Sequence, residues 1–503
     1  MAALVVLSAL AGQSVGDVID RVRAAMHYDN LARCGGIRVR GDGEFFGTSG
    51  LWEMRLAPDG RMVETIDSRI GYSQGFDGAV AWSADHSGLT RTLALQAREV
   101  MELKSFVLTG RWLQPEAGAF TIELAPGSAD ELHLLLRHRH GHLEAQLCLD
   151  PRTWLPVQLA TSSAMGGDVW VLGDYRPVLG FQYPHRLGHT RSGITNSIRV
   201  HQVAAEPGVF SPPPSAPRDV FFDGEQGARV ACERAPSGHL LVHPRVNGRE
   251  LGPFILDTGA GVTVIDRGAA DALALPKFGK TSIGGAGAEI ASAPLREAQE
   301  LALGPVTLGS PVFTEMDLEP FAHALGAPVA GICGYDLLCR AVIGIDLATP
   351  AVEIHDPSAF VLAHGQWQEL IVHGRHPHVR CRFEGDREGL FRLDTGAAPV
   401  SLIFHADAVE RLGLLDGRAS TPVAGMLGAG GALKADAGTL DWFELGGKRF
   451  PPMRVLFSRD QSGALVDRYV TGNVGGGYLG AFIVVFDYPH DRVAFVPHAA
   501  EPR

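Results

Sequence analysis

The sequence predicts a mainly β protein in three parts: an antiparallel β-rich segment, then two copies of one β-rich unit. Three observations carry this. Sixty-two glycines and thirty-one prolines are spread over many short runs, as frequent turns between short strands require. Runs such as Ile37-Arg38-Val39-Arg40 and Leu51-Trp52-Glu53-Met54-Arg55-Leu56 mix apolar and charged residues near the two-residue period of a strand. The second half of the chain repeats itself. A length of 503 residues fits about three domains, and an apolar fraction of 46% is enough for sizeable cores. The net charge of −12 argues against a nucleic-acid partner and favours solubility, without identifying a substrate.

Taken in chain order, Ala2-Ala3-Leu4-Val5-Val6-Leu7-Ser8-Ala9-Leu10-Ala11 is a short apolar run ending in an Ala-Leu-Ala cleavage pattern. Residues 1–14 therefore read as a signal peptide, atypical in lacking a leading Lys or Arg, and imply an exported protein, periplasmic or secreted. An apolar first strand or helix is the alternative. Residues 16–205 form the N-terminal β-rich domain. It opens with a helical stretch, Val18 to Leu31, and continues in strands. Gly75-Phe76-Asp77-Gly78 with Trp82, Leu149-Asp150-Pro151-Arg152-Thr153-Trp154-Leu155-Pro156, and Asp174-Tyr175-Arg176-Pro177-Val178-Leu179-Gly180 through Tyr183-Pro184 punctuate it. This texture resembles the LolA/LolB-like lipoprotein-carrier half-barrel family. The resemblance implies a sheet curled around an apolar pocket, with a lipid or lipoprotein as partner; an unrelated antiparallel β domain is the alternative. Phe210-Ser211-Pro212-Pro213-Pro214-Ser215-Ala216-Pro217, extended and semi-rigid, marks a linker over 206–236.

The repeat is anchored on Asp257-Thr258-Gly259 and Asp394-Thr395-Gly396, each closing an apolar run, Phe254-Ile255-Leu256 and Phe391-Arg392-Leu393. Alone, either tripeptide is an ordinary turn sequence. With residue 257 laid on 394, Gly248 meets Gly385, Gly252 meets Gly389, Phe254 meets Phe391 and Leu256 meets Leu393, without a gap. Downstream come helical stretches (Ala269 to Leu275, Ala406 to Leu414) and glycine-rich hairpin candidates holding Gly284 and Gly285, and Gly428 and Gly430. Leu303-Gly304 and Leu445-Gly446 turns follow, and Val329 to Gly334 then lies over Val470 to Gly475. Beyond that point Asp346 meets Asp487 and Val352 meets Val493.

Each copy, over 237–358 and 368–498, resembles a retropepsin-type aspartic protease lobe. The resemblance implies two closed β-barrel lobes in a bilobal acid-protease fold, with Asp257 and Asp394 as a catalytic pair. It also implies glycine-rich flaps over a peptide or protein substrate, here one flap candidate per lobe, as in the retroviral arrangement. Two adjacent carboxylates cannot both ionise cheaply, so the pair shares one proton, as is established for aspartic-protease dyads. The ionised member then acts as general base on a water and the protonated one polarises the scissile carbonyl. Thr258 and Thr395 would tie the loops by hydroxyl-to-backbone bonds, and Gly259 and Gly396 allow close backbone approach. The chemistry requires no metal, nucleotide or other cofactor.

Some residues depart from this pattern or offer other readings. Asn473 stands where the protease pattern expects an aliphatic residue, followed by a loose Gly475-Gly476-Gly477 run; buried, it needs hydrogen-bond partners. His138, His140 and His142 alternate, and His373, His376 and His378 surround a proline. A metal site is the sharper reading of each group and a solvated face or turn the commoner one. Trp82 and Trp154 read as core. Six cysteines form no CxxC motif. The rival to an aspartic endopeptidase is a non-catalytic envelope protein that binds a lipid, lipoprotein or peptide. Pairing of the lobes within or between chains, and the oligomeric state, stay open at this level.

Overall fold

The computed structural model describes residues 14–114, 116, 118–125, 132–162, 166–287, 289–398, 400–423, 427–428 and 431–498. The apolar opening run thus lies outside the described residues, as does Gly430. The chain divides into two compact units, residues 1–217 and 218–503.

The N-terminal unit is one antiparallel sheet of thirteen strands. Its first six strands form a meander from Ile37–Phe45 to Thr90–Thr92, and its last seven a second meander from Phe120–Ala125 to Ile194–Ala205. The meanders join where Ile37–Phe45 pairs with Ile194–Ala205, with a bulge at Arg40/Gly41. Strict inward alternation along Ile37, Val39, Gly41 and along Trp52, Met54, Leu56 supplies one buried face. That face is covered by the helix Leu95–Leu108, which buries Met101, Leu103, Phe106 and Val107. The opening helix runs Val15–Met26, started by a Ser14/Asp17 capping box and ended at His27, whose φ is 52°. The expected single helix is therefore two, the second being Tyr28–Arg33. Trp82 is buried and donates to the Phe210 carbonyl, whereas Trp154 is only half-buried, under the Arg21 guanidinium.

One expectation is corrected in this unit. His138, His140 and His142 do not share a solvated strand face. His138 ends a strand, is nearly buried and pairs with Glu102 at 2.8 Å, while the other two lie in the following turn. The six cysteines of the chain are all free thiols.

In the C-terminal unit, residues 220–234 are not all linker but hold three short strands. Val220–Phe222 pairs with Val306–Leu308, and Arg229–Val230 with Val352–Glu353. Lobe one contains an eight-stranded path ending at Cys232–Arg234 and Lys277–Gly284, and lobe two a path ending at Ser420–Val423 and Lys448–Phe450. No strand pair among the described residues closes either path into a barrel. The lobes join through a six-stranded sheet at whose centre Val342–Asp346 runs antiparallel to Phe482–Asp487. Gly344 faces Val485 there, Val342 faces Asp487 and Asp346 faces Ile483. Gly344 thus faces its own counterpart in the repeat and the Val342/Asp487 pair is the counterpart of the Ile483/Asp346 pair, so a local two-fold axis passes between Gly344 and Val485 and relates the lobes within one chain.

Candidate active site

Both Asp-Thr-Gly loops are held by the same three-strand arrangement. Phe254–Leu256 runs parallel to Gly331–Cys333, and Val264–Asp266 lies antiparallel on the other side. In lobe two Phe391–Leu393, Gly472–Val474 and Leu402–Phe404 repeat this, residue for residue. The lobe-one strands are short and buried on both faces, which is why they read as continuous apolar runs. The backbone then carries each aspartate past the strand end: Asp257 N donates to Cys333 O at 3.1 Å and Asp394 N to Val474 O at 2.9 Å.

The two loops grip each other through their threonines. Thr258 N donates to Thr395 Oγ1 and Thr395 N to Thr258 Oγ1, both at 3.0 Å. Each hydroxyl in turn donates to a carbonyl of the opposite lobe, Thr258 to Leu393 at 2.8 Å and Thr395 to Leu256 at 2.9 Å. Both threonines are buried, so every one of these bonds is shielded from water. The glycines explain themselves by space. A Cβ at Gly259 would lie 2.6 Å from Asp394 Cγ, and one at Gly396 would lie 2.5 Å from Asp257 Cγ. Each carboxylate therefore lies against the glycine of the other loop.

Asp257 Oδ1 accepts from Gly259 N at 2.7 Å and, across the lobes, from Gly396 N at 3.1 Å. Desolvation and the neighbouring Asp394 charge nevertheless push its pKa up to about 7. Asp394 is also raised, by desolvation, against the opposing pull of Arg392 and of the Asn473 amide. Its Oδ1 accepts from Ala397 N at 3.1 Å and its Oδ2 from Asn473 Nδ2 at 3.0 Å. The geometry thus sets two carboxyls, both with raised pKa values, on paired loops of the two lobes.

An aspartyl protease family model matches residues 242–337 and 379–481. Both lobes match the aspartyl protease family. Among solved structures, the chain is similar to Basic 7S globulin from soybean, with 13% identity over 54% of this chain and 94% of that one, at a TM-score of 0.32. It is also similar to a LolA-superfamily protein from Nitrosomonas europaea, with 13% identity over 38% of this chain and 97% of that one, at a TM-score of 0.28. No curated protein matches the chain.

The hairpin candidates of the two lobes are antiparallel hairpins. In lobe one Lys277–Gly284 pairs with Ile290–Glu297, which puts Gly284 at the last rung and Gly285 in the tip. That tip reaches the other lobe: Ala464 N donates to Gly285 O at 3.0 Å, and Ala286 packs with Leu433 and Leu465. In lobe two Ser420–Val423 pairs with Ala435–Leu440, and Gly428 pairs with Gly431 beside Ala286.

Sequence reasoning missed several residues at the site. His239 is held by Ser237 at 2.9 Å and reaches across to the Gly396 carbonyl at 2.7 Å. His376, its counterpart in the ungapped register, lies against the loop that follows Asp257, with Nε2 3.3 Å from where a Gly261 Cβ would be. The ungapped alignment already pairs 239 with 376, so that signal was available. His373 and His378, expected in a solvated turn, are buried instead. Strand pairing from Ile371–His373 to His376–Phe383 draws them inward. Among the described residues no group of His, Cys, Asp or Glu could hold a metal ion.

Proposed function

We propose that this chain is an aspartic endopeptidase whose Asp257/Asp394 dyad activates a water to hydrolyse a peptide bond of a peptide or protein substrate. The observation that carries this reading is the reciprocal threonine grip, which holds each carboxylate against the glycine of the opposite loop. Such a pair retains one proton near neutral pH, because ionising both in a desolvated site is unfavourable.

The steps follow from that single proton. The ionised carboxylate takes a proton from the water as its oxygen bonds to the scissile carbonyl carbon. The protonated partner gives its proton to the carbonyl oxygen, so a neutral tetrahedral diol forms. In the second half a carboxyl protonates the amide nitrogen while a diol hydroxyl returns its proton to the other carboxylate. The C–N bond then breaks, leaving an acid and an amine. Gly284 and Gly285, with Gly428 across from them, supply small, pliant backbone above the peptide. Gly430 is assigned to the same flap from sequence alone.

The test compares wild type with Asp257→Asn and Asp394→Asn on a mixed peptide library from acidic to neutral pH. Cleavage that disappears in both variants supports the dyad. Folded wild type without cleavage at any pH removes the peptidase reading and favours the non-catalytic binding protein.

A second reading concerns the N-terminal unit. Its cavity is walled by Trp52, Met54, Ile66, Leu159, Trp170 and Ile198, and the buried Glu64–Lys104 pair also lines it. We infer that it takes an apolar ligand, a lipid or lipoprotein chain. Quenching of the two cavity tryptophans by a doxyl-labelled fatty acid would support that, and unchanged emission would count against it. Export is part of the proposal and rests on residues 2–11 alone; fractionation of cells expressing the full chain tests it.

A further inference from the structure

Under the two catalytic loops, matching strands carry matching rows of side chains. In lobe one the row is Leu241, Ile255, Ile332 and Val264, neighbours across four strands. In lobe two the same rungs hold His378, Arg392, Asn473 and Ile403. Three apolar residues are thus replaced, position for position, by an imidazole, a guanidinium and an amide. The replacement does not bring solvent with it. Leu241, Ile255 and Ile332 are 1%, 4% and 8% exposed, and His378, Arg392 and Asn473 are 0%, 7% and 5% exposed.

The row continues into His405. This residue begins the helix Ala406–Arg411 as Asp266 begins Arg267–Ala272 in lobe one. Asp266 caps its helix through Gly268 N and Ala269 N, the usual role of the position. His405 makes no cap. Its fully buried ring turns inward, and Nε2 lies 2.8 Å from Asn473 Oδ1. Asn473 spends its amide N–H on Asp394 Oδ2 at 3.0 Å, so its oxygen is the acceptor and His405 the donor. The order His405, Asn473, Asp394 therefore runs in one direction, each group donating to the next.

Such a row costs stability relative to the apolar one. His378 Nε2, Arg392 Nε and His373 Nδ1 are buried without a hydrogen-bond partner. Breaking a local packing rule in one of two otherwise matching lobes marks a functional constraint. The charges around Asp394 show its direction. Arg392 lies two residues before it on the same strand and Asn473 beside it. His239 reaches its loop from lobe one, while His376, His378 and His405, kept neutral by burial, lie near Arg392 together with the His373–Asp467 pair. Among the described residues, Asp257 receives hydrogen bonds from backbone donors of its own and the opposite loop, and it feels Arg392 as the weakest of the influences on it, whereas Arg392 is the foremost favourable charge on Asp394. Its strand offers Ile255 where Asp394 has Arg392, and Ile332 where Asp394 has Asn473.

We propose that the His378–Arg392–Asn473 row, continued by His405, assigns the roles in the dyad, keeping the resting proton on Asp257 and leaving Asp394 as the ionised base. This rests on the reading of the pair as a water-activating dyad. Asn473 and His405 are positioning residues: neither reaches the substrate, and both act through Asp394. The water then gives its proton to Asp394, and the scissile carbonyl takes its proton from Asp257.

The test is titration of ¹³C-carboxyl-labelled aspartate by NMR in the full chain, with the dyad signal identified by its loss in the double Asp→Asn variant. Alone in Asp257→Asn, Asp394 is expected to titrate at least about one pH unit below Asp257 alone in Asp394→Asn. Adding Asn473→Ile to Asp257→Asn raises the Asp394 midpoint by about a unit. In the otherwise wild-type enzyme it moves the acid limb of the kcat/KM profile the same way. Equal midpoints in the two single variants, or an Asp394 midpoint unmoved by Asn473→Ile, overturn the proposal. Should Asn473→Ile fail to fold, the triple variant His378→Leu, Arg392→Ile, Asn473→Ile carries the test, because lobe one already packs those side chains. If wild type cleaves no peptide, the peptidase reading fails, while the two midpoints still decide where the proton rests.

Discussion

Replacing Thr258 by Val keeps the side-chain shape and deletes one hydroxyl from the grip. Two bonds are lost: the one Thr395 N gives to Thr258 Oγ1 and the one Thr258 Oγ1 gives to Leu393 O. The first leaves a buried N–H without its partner, a cost of about 1–3 kcal/mol, and the second removes a hydrogen bond worth about 0.5–1.5 kcal/mol. We therefore expect a loss of about 2–4 kcal/mol. By symmetry of the bonds, Thr395→Val should cost about as much. The double variant should cost less than the two losses together by at least about 0.5 kcal/mol, because the first change already loosens both loops. Hydrogen exchange followed by mass spectrometry, on peptides covering 254–262 and 391–398, reads the local opening free energy of each loop separately. Faster exchange in both loops from a change in either lobe is the expected result. If Thr258→Val loosens only its own loop, or shifts neither by more than about 0.5 kcal/mol, the reciprocal grip does not hold the lobes together.

Gly259→Ala and Gly396→Ala should abolish cleavage, since the new methyl occupies the place of the opposite carboxylate; peptide assays on folded variants check this. Cleavage by wild type should decline as pH rises through about 7, where the shared proton is lost, as read from a kcat/KM profile. The raised folded pKa of Asp257 means that its contribution to stability is fully present below the unfolded value and lost as pH rises through about 7. Asp257→Asn should therefore stabilise the protein by roughly a few kcal/mol above that pH and hardly at all in acid, measured by urea unfolding. In the N-terminal unit Glu64 is buried and held down to about 2, despite desolvation, by Lys104 at 2.7 Å with Trp52 and Gln74. Lys104→Met should destabilise by about 3–5 kcal/mol at neutral pH. Acidification should then recover part of the loss, because the unpaired carboxylate protonates; urea unfolding at two pH values separates these outcomes.

The aspartate pair was legible because duplication turns two weak tripeptides into one constrained alignment, and because strands buried on both faces announce themselves as apolar runs. The hairpins were legible through their glycines. What the sequence hid depends on contacts between distant residues. Val220–Phe222 and Arg229–Val230 sit beside a proline-rich stretch and look like linker, yet their partners lie at 306–308 and 352–353. His138 belongs to an alternating histidine run, and only the packing of Glu102 beside it reveals a buried pair. Asn473 was visible as a departure from the aliphatic pattern. That it shares a rung with Arg392 and His378 is a property of cross-strand register, which no spacing along the chain displays. His405 was hidden by its position, since the start of a helix suggests a cap and not an inward-facing ring.

The register at the centre of the six-stranded sheet has a consequence for heredity. Two identical chains meeting about such an axis would have to carry any substitution twice, once in each half, so a site at the axis could never tell its halves apart. Joining the halves into one chain keeps the axis at Gly344 and Val485 and removes that obligation. Mutation can then rewrite one half while the other keeps its apolar packing. An arginine, an asparagine and a histidine written into a single copy are a message that a symmetric pair has no means to spell.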